Sequence, residues 1–235
     1  MSKRKLERFA ELGTFQNVIQ PEIEEVFNKD HSIKGKWNEK LFGNINPIVL
    51  ELGCGKGEYT TGMAEVCHDK NFIGIDIKGA RIWKGARYAH QYNLTNCAFL
   101  RLRIDHIKSM FTQDEVSEIW LTFPDPYETP GRTKKRLTSS IFLSSYQHFL
   151  KNNGLIHLKT DNKILYDYTL KLCILNKFEI LYNTDDLYNS SFENDWLKIK
   201  THYESMFLLN GTPIKYLCFR LNRNTKIKEG FLYLP

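Results

Sequence analysis

Short apolar segments recur along the chain from Pro47 onward, and stretches of helical character separate them. Seven segments of this kind lie at residues 48–52, 72–77, 98–102, 118–123, 154–159, 178–182 and 216–221. Strands that alternate with helices and are bounded by Gly or Asn are typical of βαβ units, which build parallel sheets. The pattern therefore predicts an α/β fold with a mostly parallel, seven-stranded sheet and helices on both faces.

The residues before this pattern are irregular and charged. The chain is therefore expected to divide into an N-terminal extension, residues 1–45, and a folded domain, residues 46–235. The N-terminus has cations but lacks the apolar segment of a secretory signal. No window approaches the ~18–20 apolar residues that a membrane span needs. These features predict a soluble cytoplasmic protein with one domain and a partly flexible extension.

The net charge and the spacing of the cysteines indicate which ligands and which compartment to expect. The net charge is +6, so the folded surface is expected to attract polyanions. The five cysteines are scattered and none forms a C-x-x-C pair, which argues against a disulfide framework and against a zinc site. We therefore expect buried thiols in a reducing compartment, and no metal.

A glycine-rich loop follows the first predicted strand. Gly53, Gly55 and Gly57 stand between this strand and a helical stretch, where α/β sheets bind ligands. Glu58 occupies the position of the third glycine of the dinucleotide pattern G-x-G-x-x-G, and Glu51 precedes the loop. Negative side chains disfavour a pyrophosphate and favour a cationic ligand. A plain strand-to-helix turn is the alternative interpretation.

Two further acids follow the next strands. Asp76 ends the second strand, where a carboxylate would bind ribose hydroxyls. Asp105 follows the third strand at the same edge of the sheet, although a solvated side chain is an alternative there. Several carboxylates without a complete phosphate-binding loop fit a nucleoside that carries positive charge. The pattern therefore predicts S-adenosylmethionine, a sulfonium, as the cofactor.

The fourth strand ends in the sequence "FPDPY", residues 123–127. Pro124 and Pro126 fix φ and exclude helix, so they hold Asp125 on a stiff corner beside the cofactor crevice. The alternative is a purely structural proline turn, in which the Asp125 side chain caps nearby backbone groups.

This corner and several other motifs resemble known methyltransferases. Asp-Pro-Tyr resembles the D/N-P-P-Y corner of amino-methyltransferases, but the second proline is missing. "FPDP" followed by "KKRLTSSIF" resembles the tRNA (guanine-N7)-methyltransferase family more closely. The resemblance covers nearly the whole chain from Pro47, including "VLELGCGKGEYT", "FIGIDIKGARI", "GLIHLKTD" and "IKTHYESMFLLNGTPIKYLCFRL". It implies a Rossmann-like class I methyltransferase domain that forms 7-methylguanosine in tRNA, at guanine 46 of the variable loop in the family.

The resemblance also implies roles for single residues. Four acids match the acids on the cofactor side of the family's site, namely Glu51, Asp76, Asp105 and Asp125. Among them, Asp125 is the expected catalytic residue, because its position matches the place where cofactor and base meet. Asp161 in "KTD" matches a substrate-side acid, and Thr201 and Glu204 in "THYE" match an element that helps hold the guanine. The chain departs from the family in "YETPGRT", where a cationic run is common and Thr129 replaces an expected lysine.

Cations just past the corner form the predicted RNA-binding surface. These cations are Arg132, Lys134, Lys135 and Arg136. They are expected to bind tRNA phosphates. The alternative is that they only form a charged surface in contact with solvent. The arm from Lys3 to Arg8 and the helical positions Arg81, Lys84 and Arg87 would extend this surface.

Three other functions remain open from the sequence. They are an amino-methyltransferase acting on another nucleic acid base, an NAD-dependent oxidoreductase, and a non-catalytic RNA-binding partner on the same fold. Glu51 and Glu58 argue against the oxidoreductase, and the retained glycines with Asp125 argue against the non-catalytic protein. The expected partner is tRNA, with no membrane and no obligate protein partner, and the protein is expected to be a monomer or a homodimer.

Overall fold

The computed structural model describes residues 3–192 and 194–229, which fold around one eight-stranded sheet. The strands are β1 (Val18–Ile19), β2 (Ile48–Leu52), β3 (Asn71–Asp76), β4 (Cys97–Arg101), β5 (Val116–Thr122), β6 (Leu150–Thr160), β7 (Ile180–Thr184) and β8 (Lys215–Leu221). The helices are α1 (Lys3–Leu12), α2 (Ile23–Val26), α3 (Glu58–Val66), α4 (Gly79–Gln91), α5 (Ser140–Tyr146), α6 (Lys163–Leu175), α7 (Asp195–Lys198) and α8 (His202–Leu209). Two 3-10 helices span Ile104–Ser109 and Pro130–Lys135, and a π-helix spans Asn38–Phe42.

The strands lie in the order β1-β4-β3-β2-β5-β6-β8-β7. All neighbouring pairs are parallel except those of β8, which runs antiparallel to both β6 and β7. The order of the strands reverses between β2 and β5, and ligands bind beyond the carboxyl ends of strands at such a switch point. The α/β prediction is therefore confirmed, and each predicted strand is present with its ends shifted by up to four residues.

The eighth strand, β1, was not predicted from the sequence. It contains only Val18 and Ile19, which pair with Phe99 and Leu100 of β4 at the edge of the sheet. Two residues are too short to show an alternating pattern of apolar and polar positions, so only the tertiary contact reveals the strand.

Alternate residues of each central strand enter two separate apolar cores, one on each face of the sheet. In β2, Ile48, Leu50 and Leu52 enter one core, and Val49 enters the other. Glu51 points to the same face as Val49, because successive side chains of a strand alternate. The strand is buried along its whole length, as expected at the centre of a parallel sheet.

The N-terminal segment has more regular structure than the sequence indicated. It contributes α1, β1 and α2, and its side chains Leu12, Val26 and Trp37 are buried. The indole Nε1–H of Trp37 donates to the carbonyl of Met110 at 2.8 Å, and its ring stacks on Phe111. The expectation of an irregular segment is thus wrong for these residues. The domain boundary at residue 45 stays a prediction.

Among the described residues, none of the helices is both long and apolar enough to cross a membrane.

The glycine loop offers a matched test of packing. Gly55 and Gly57 both have a positive φ, of 57° and 74°, but a Cβ at Gly57 would lie 2.5 Å from the Phe99 ring while one at Gly55 would meet open space. We expect Gly55→Ala to lower the free energy of unfolding by about 1–2 kcal/mol, the cost of the left-handed backbone. Gly57→Ala should cost about 1–3 kcal/mol more, because it also overpacks the core. Urea unfolding measures both; equal midpoints for the two variants would contradict this packing.

Candidate active site

A cavity of about 350 Å³ opens at the carboxyl ends of the central strands. Four of the residues that were predicted to bind the cofactor line it, namely Gly53, Asp76, Asp105 and Asp125. Gly53, Asp105 and Asp125 follow β2, β4 and β5, and Asp76 is the last residue of β3, so the parallel sheet brings all four to one edge. The volume of the cavity falls in the range of roughly 300–1,000 Å³ that is usual for small-molecule sites.

The glycine loop is folded against the end of β3. The backbone N–H groups of Gly53 and Cys54 both donate to the carbonyl of Ile75, at 2.8 and 3.0 Å. The N–H of Gly55 donates to Oδ2 of Asp76 at 3.0 Å, and the N–H of Lys78 donates to Oδ1 at 2.8 Å. Backbone donors therefore fix the Asp76 carboxylate at the cavity wall, where its remaining lone pairs can accept from ribose hydroxyls.

Asp105 is exposed at the cavity mouth, and Arg103 forms an ion pair with it at 3.2 Å. The two residues both line the cavity, so the acid is neither a buried cofactor ligand nor an isolated solvated side chain.

Glu51 differs from the prediction, because it does not line this cavity. The residue is 1% exposed, and its two carboxylate oxygens accept hydrogen bonds from the hydroxyls of Thr60 and Thr122. Burial raises the pKa of Glu51 to about 7, against the opposing effect of these hydrogen bonds. The side chain joins β2 to β5 and α3, so it holds the base of the site in place. Its predicted role toward the cofactor stays a prediction.

The corner after β5 is bounded by two residues with left-handed backbone. Phe123 has a φ of 49° and Tyr127 has a φ of 40°, a region that bulky side chains rarely adopt. Such conformations persist only where the surroundings determine them, and they concentrate at functional sites. Here the N–H of Phe123 donates to the carbonyl of Lys159 at 2.8 Å, and the Phe123 ring stacks on Phe207.

Asp125 stands at the centre of this corner with an exposed side chain that lines the cavity. Its neighbours on either side are prolines, which have no N–H to offer it. No hydrogen bond or ion pair engages its carboxylate among residues 3–192 and 194–229. The alternative of an Asp that caps local backbone therefore does not hold, and the carboxylate is open to a ligand.

Arg136 corrects the predicted RNA-binding surface. Its side chain is buried, and its guanidinium donates to the carbonyls of Pro126 at 2.8 Å and Tyr127 at 3.1 Å. The same group lies 4.4 Å from the ring centroid of Tyr168. Burial lowers the pKa of Arg136 from its ordinary value. Arg136 thus holds the corner in shape, and it is not exposed to an RNA phosphate.

The other three predicted cations are exposed. Lys134 and Lys135 end the 3-10 helix after the corner, and Lys135 also lines the cavity. Arg132 lies over the Tyr127 ring, with 5.2 Å between its guanidinium carbon and the ring centroid. These three side chains remain candidates for phosphate contact.

A buried ion pair lies behind the corner. Lys159 of β6 and Glu204 of α8 are both 0% exposed, and Nζ of Lys159 lies 2.8 Å from Oε1 of Glu204. The same ammonium donates to the carbonyls of Leu197 and Ile199, at 3.0 and 3.1 Å. All three ammonium hydrogens thus have acceptors in the segment that ends in α8. These contacts of the Lys159 ammonium hold α8 against the sheet.

Thr201 and Glu204 hydrogen-bond to each other at the start of α8, and their contact with guanine stays a prediction. The Thr201 hydroxyl accepts from the N–H of Glu204 at 3.2 Å, and the Glu204 carboxylate accepts from the N–H of Thr201 at 3.4 Å, which is a capping box at the start of α8. The Tyr188 hydroxyl donates to Glu204 at 2.7 Å. Because Glu204 is enclosed by these partners, it does not face the cavity.

Asp161 follows β6 at the same edge of the sheet, but it does not line the cofactor cavity. Partial burial raises the pKa of its carboxyl group from the ordinary value. Its role toward the substrate stays a prediction.

Lys159 was missed by the sequence analysis, although the sequence carried a signal. His157 and Lys159 alternate with apolar residues in β6, so both point to the same face of a buried strand. Buried polar side chains at alternate positions require partners on that face. The partner of Lys159 lies 45 residues further along the chain, which a pattern of local spacing does not reveal.

Comparison with known proteins agrees with this architecture. Residues 45–217 match a family model described as "Putative methyltransferase". A tRNA (guanine-N(7)-)-methyltransferase of Christiangramia forsetii is 50% identical over 221 residues, which cover 94% of this chain and 99% of that protein. A protein of the same name from Bacteroides thetaiotaomicron is 46% identical over 229 residues, 97% of this chain and 90% of that protein.

A solved structure supports the fold alone. The structure titled "Crystal Structure of 16S rRNA Methyltranferase KamB" superposes with a TM-score of 0.59 over 78% of this chain and 92% of that chain. The sequence identity is 11%, so the likeness concerns the Rossmann-like class I methyltransferase architecture.

A charge-conserving substitution tests the structural role of Arg136. We expect Arg136→Lys to lower the free energy of unfolding by about 2 kcal/mol, because an ammonium cannot reproduce a guanidinium fork on two carbonyls. Lys134→Ala, at an exposed neighbouring position, should leave stability unchanged within about 0.5 kcal/mol. Thermal and urea unfolding measure both variants. If the Arg136→Lys protein were as stable as the parent, the structural role would be contradicted and the predicted contact of Arg136 with RNA would be the better interpretation.

The ion pair can be tested by a double-mutant cycle. Glu204→Gln leaves the Lys159 ammonium buried without a counter-charge, so we expect a loss of about 3–5 kcal/mol in the free energy of unfolding. Lys159→Met is measured alone and together with Glu204→Gln to complete the cycle, and the double variant should recover part of that loss, since it removes the unpaired charge. If Glu204→Gln kept full stability and changed only the KM for tRNA, the guanine contact predicted from the sequence would be the better interpretation.

Proposed function

The chain belongs to the tRNA (guanine-N7)-methyltransferase family, and we propose that it transfers the methyl group of S-adenosylmethionine to N7 of a guanine in tRNA, forming 7-methylguanosine. The observation that carries the proposal within the structure is the open carboxylate of Asp125. It lies on a rigid corner at the wall of a cavity whose other acids suit an adenosine cofactor.

The residues around the cavity fit S-adenosylmethionine. Asp76 is fixed by the N–H groups of Gly55 and Lys78 and can accept from both ribose hydroxyls. Gly53, with a φ of 78°, lets the backbone approach the ligand without a side chain in between. Lys78, Arg81 and Lys135 add cations to the lining, which can receive the carboxylate of the methionine part. When bound, the cofactor supplies a methyl group on a positively charged sulfur.

The acceptor atom explains why the site holds no obvious general base. Guanine N7 carries a lone pair and no proton, so methylation there requires no proton to be removed. The enzyme's task is then to hold N7 in line with the methyl group and to exclude water. Well-oriented reactants can contribute on the order of 7–11 kcal/mol to lowering a barrier. The rigid corner held by Arg136 is suited to that task.

Asp125 can orient and select the base. Its carboxylate accepts hydrogen bonds, and guanine presents N1–H and N2–H₂ donors that adenine lacks on the same edge. The carboxylate also stays beside positive charge throughout the reaction, because that charge passes from the sulfur to the guanine ring. Asp125 therefore combines base recognition with electrostatic stabilisation.

Finer points of the proposal follow the family. We propose that the target is guanine 46 of the tRNA variable loop, and that the enzyme acts in the cytoplasm without an obligate protein partner. The cysteines support a reducing compartment, since Cys54, Cys97, Cys173 and Cys218 are buried free thiols and Cys67 is a partly exposed one.

The direct test is incubation of the purified protein with unmodified tRNA and labelled S-adenosylmethionine, followed by nucleoside analysis. We expect the label in 7-methylguanosine, and its loss when guanine 46 of the transcript is replaced by adenine. Label in N6-methyladenosine would support the amino-methyltransferase alternative instead, and tRNA binding without any methylation would support the non-catalytic one.

Asp125→Asn retains the size of the side chain but removes its charge and one acceptor. We expect kcat to fall about 100-fold or more, because misplacement of a base by 1 Å can cost that factor. The unfolding midpoint should change little, because Asp125 is exposed and has no partner among residues 3–192 and 194–229. Unchanged turnover in this variant would exclude Asp125 as the residue that orients the base.

A further inference from the structure

A second cavity, of about 590 Å³, lies beside the cofactor cavity. We call it the α5 groove. It runs between the 3-10 helix Ile104–Ser109, the corner together with the 3-10 helix Pro130–Lys135 that follows it, and α5. Residues on all three sides line it, including Lys108, Tyr127 and Ser145. Five residues line both cavities, so the groove leads directly into the candidate active site; they are Arg103, Asp105, Tyr127, Lys135 and Phe142.

The groove is strongly cationic. Four Lys or Arg side chains line it, against one acid, Asp105, which is already paired with Arg103. The remaining three cations, Lys108, Lys134 and Lys135, are exposed and have no acidic partner within 4 Å in the described parts of the chain. Unpaired cations that face one concave surface favour a polyanion over a neutral ligand.

The other lining groups also suit a nucleic acid strand. Ser144 and Ser145 present hydroxyls, which can donate to phosphate oxygens. His148 also lines the groove, and its pKa is lowered by partial burial and by the cations Lys108 and Lys34. At the near end, the Tyr127 ring marks the boundary with the cofactor cavity, and an aromatic ring there can stack on an unpaired base.

A competing basic surface exists on the opposite face of the sheet, where α1 packs on α4. Its cations are differently arranged. Arg8 and Arg87 both lie against the ring of Trp83, at 4.7 and 5.2 Å from the centroid, and Glu11 accepts from the Trp83 indole at 2.8 Å. These contacts stabilise helix packing and place an acid beside the two arginines. The first cations of the predicted arm, Lys3, Arg4 and Lys5, lie outside the residues whose side chains are described.

We propose that the α5 groove holds the RNA strand next to the target guanine, with Lys108, Lys134 and Lys135 bound to its phosphates. This proposal rests on the proposed function and names the path by which the substrate reaches the site. The RNA then approaches Asp125 from the side of α5, and the cofactor occupies the neighbouring cavity from the side of α4. Lys108 is the new residue in this assignment, since the sequence motifs did not single it out.

The test compares Lys108 with a matched control. Lys84 is an exposed cation on α4, so Lys84→Ala removes the same charge from the other face. The Kd of the full-length protein for an unmodified tRNA transcript is measured over a range of salt concentrations for the parent, Lys108→Ala, Lys108→Glu and Lys84→Ala. Binding of S-adenosylhomocysteine and the unfolding midpoint are measured in parallel.

We expect Lys108→Ala to weaken tRNA binding several-fold and to reduce the magnitude of the salt slope by about 0.7–0.9, the value of one phosphate contact. Lys108→Glu should weaken binding further, and Lys84→Ala should have a smaller effect than either. Cofactor binding and folding should not change. Parent-like tRNA binding by Lys108→Glu, or a larger loss in Lys84→Ala, would overturn the assignment. Failure of the proposed function is distinguishable, since it would appear as absence of 7-methylguanosine with the parent protein.

Discussion

The buried ammonium of Lys159 is the interaction on which the arrangement around the site depends. A charge out of contact with water is tolerated only when every donor has an acceptor and a counter-charge lies close by. Lys159 meets this condition with Glu204 and with the carbonyls of Leu197 and Ile199. It thereby fixes α8 on the sheet, and α8 places Phe207 against Phe123 at the start of the corner that carries Asp125. The carbonyl of Lys159 also accepts from the N–H of Phe123, so one residue supports the corner twice.

The corner itself combines rigidity with one unsatisfied group. Left-handed backbone at Phe123 and Tyr127, two prolines, and the guanidinium of Arg136 determine its shape. In the part of the chain that the structure describes, no hydrogen-bond or ion-pair partner engages the Asp125 carboxylate, which is the property that a ligand-orienting residue needs. Glu51 and Glu204, two other acids that were expected at the site, are buried and hydrogen-bonded within the protein. The polar residues near the site thus divide into a buried supporting group and an open group that lines the cavity.

The features that depend on local sequence pattern were predicted correctly. The predictions failed for side chains whose environment is set by contacts between residues far apart in the chain. Apolar periodicity located the sheet, and strand ends located Gly53, Asp76, Asp105 and Asp125, since parallel strands bring their carboxyl ends together. Arg136 was assigned to RNA because it belongs to a basic run. Only the fold shows that its side chain turns inward to the carbonyls of Pro126 and Tyr127. Such distinctions between neighbouring cations depend on packing, which spacing along the chain does not encode.

The most direct measurement is a crystal structure of the protein with S-adenosylhomocysteine and an RNA fragment that contains the target guanine. We expect the ribose hydroxyls of the cofactor product within hydrogen-bond distance of Asp76, and the Watson–Crick edge of guanine on the Asp125 carboxylate. Glu51 should remain on Thr60 and Thr122, and Glu204 should remain on Lys159. A guanine bound by Glu204, or a cofactor product outside the cavity lined by Asp76 and Asp125, would contradict the account.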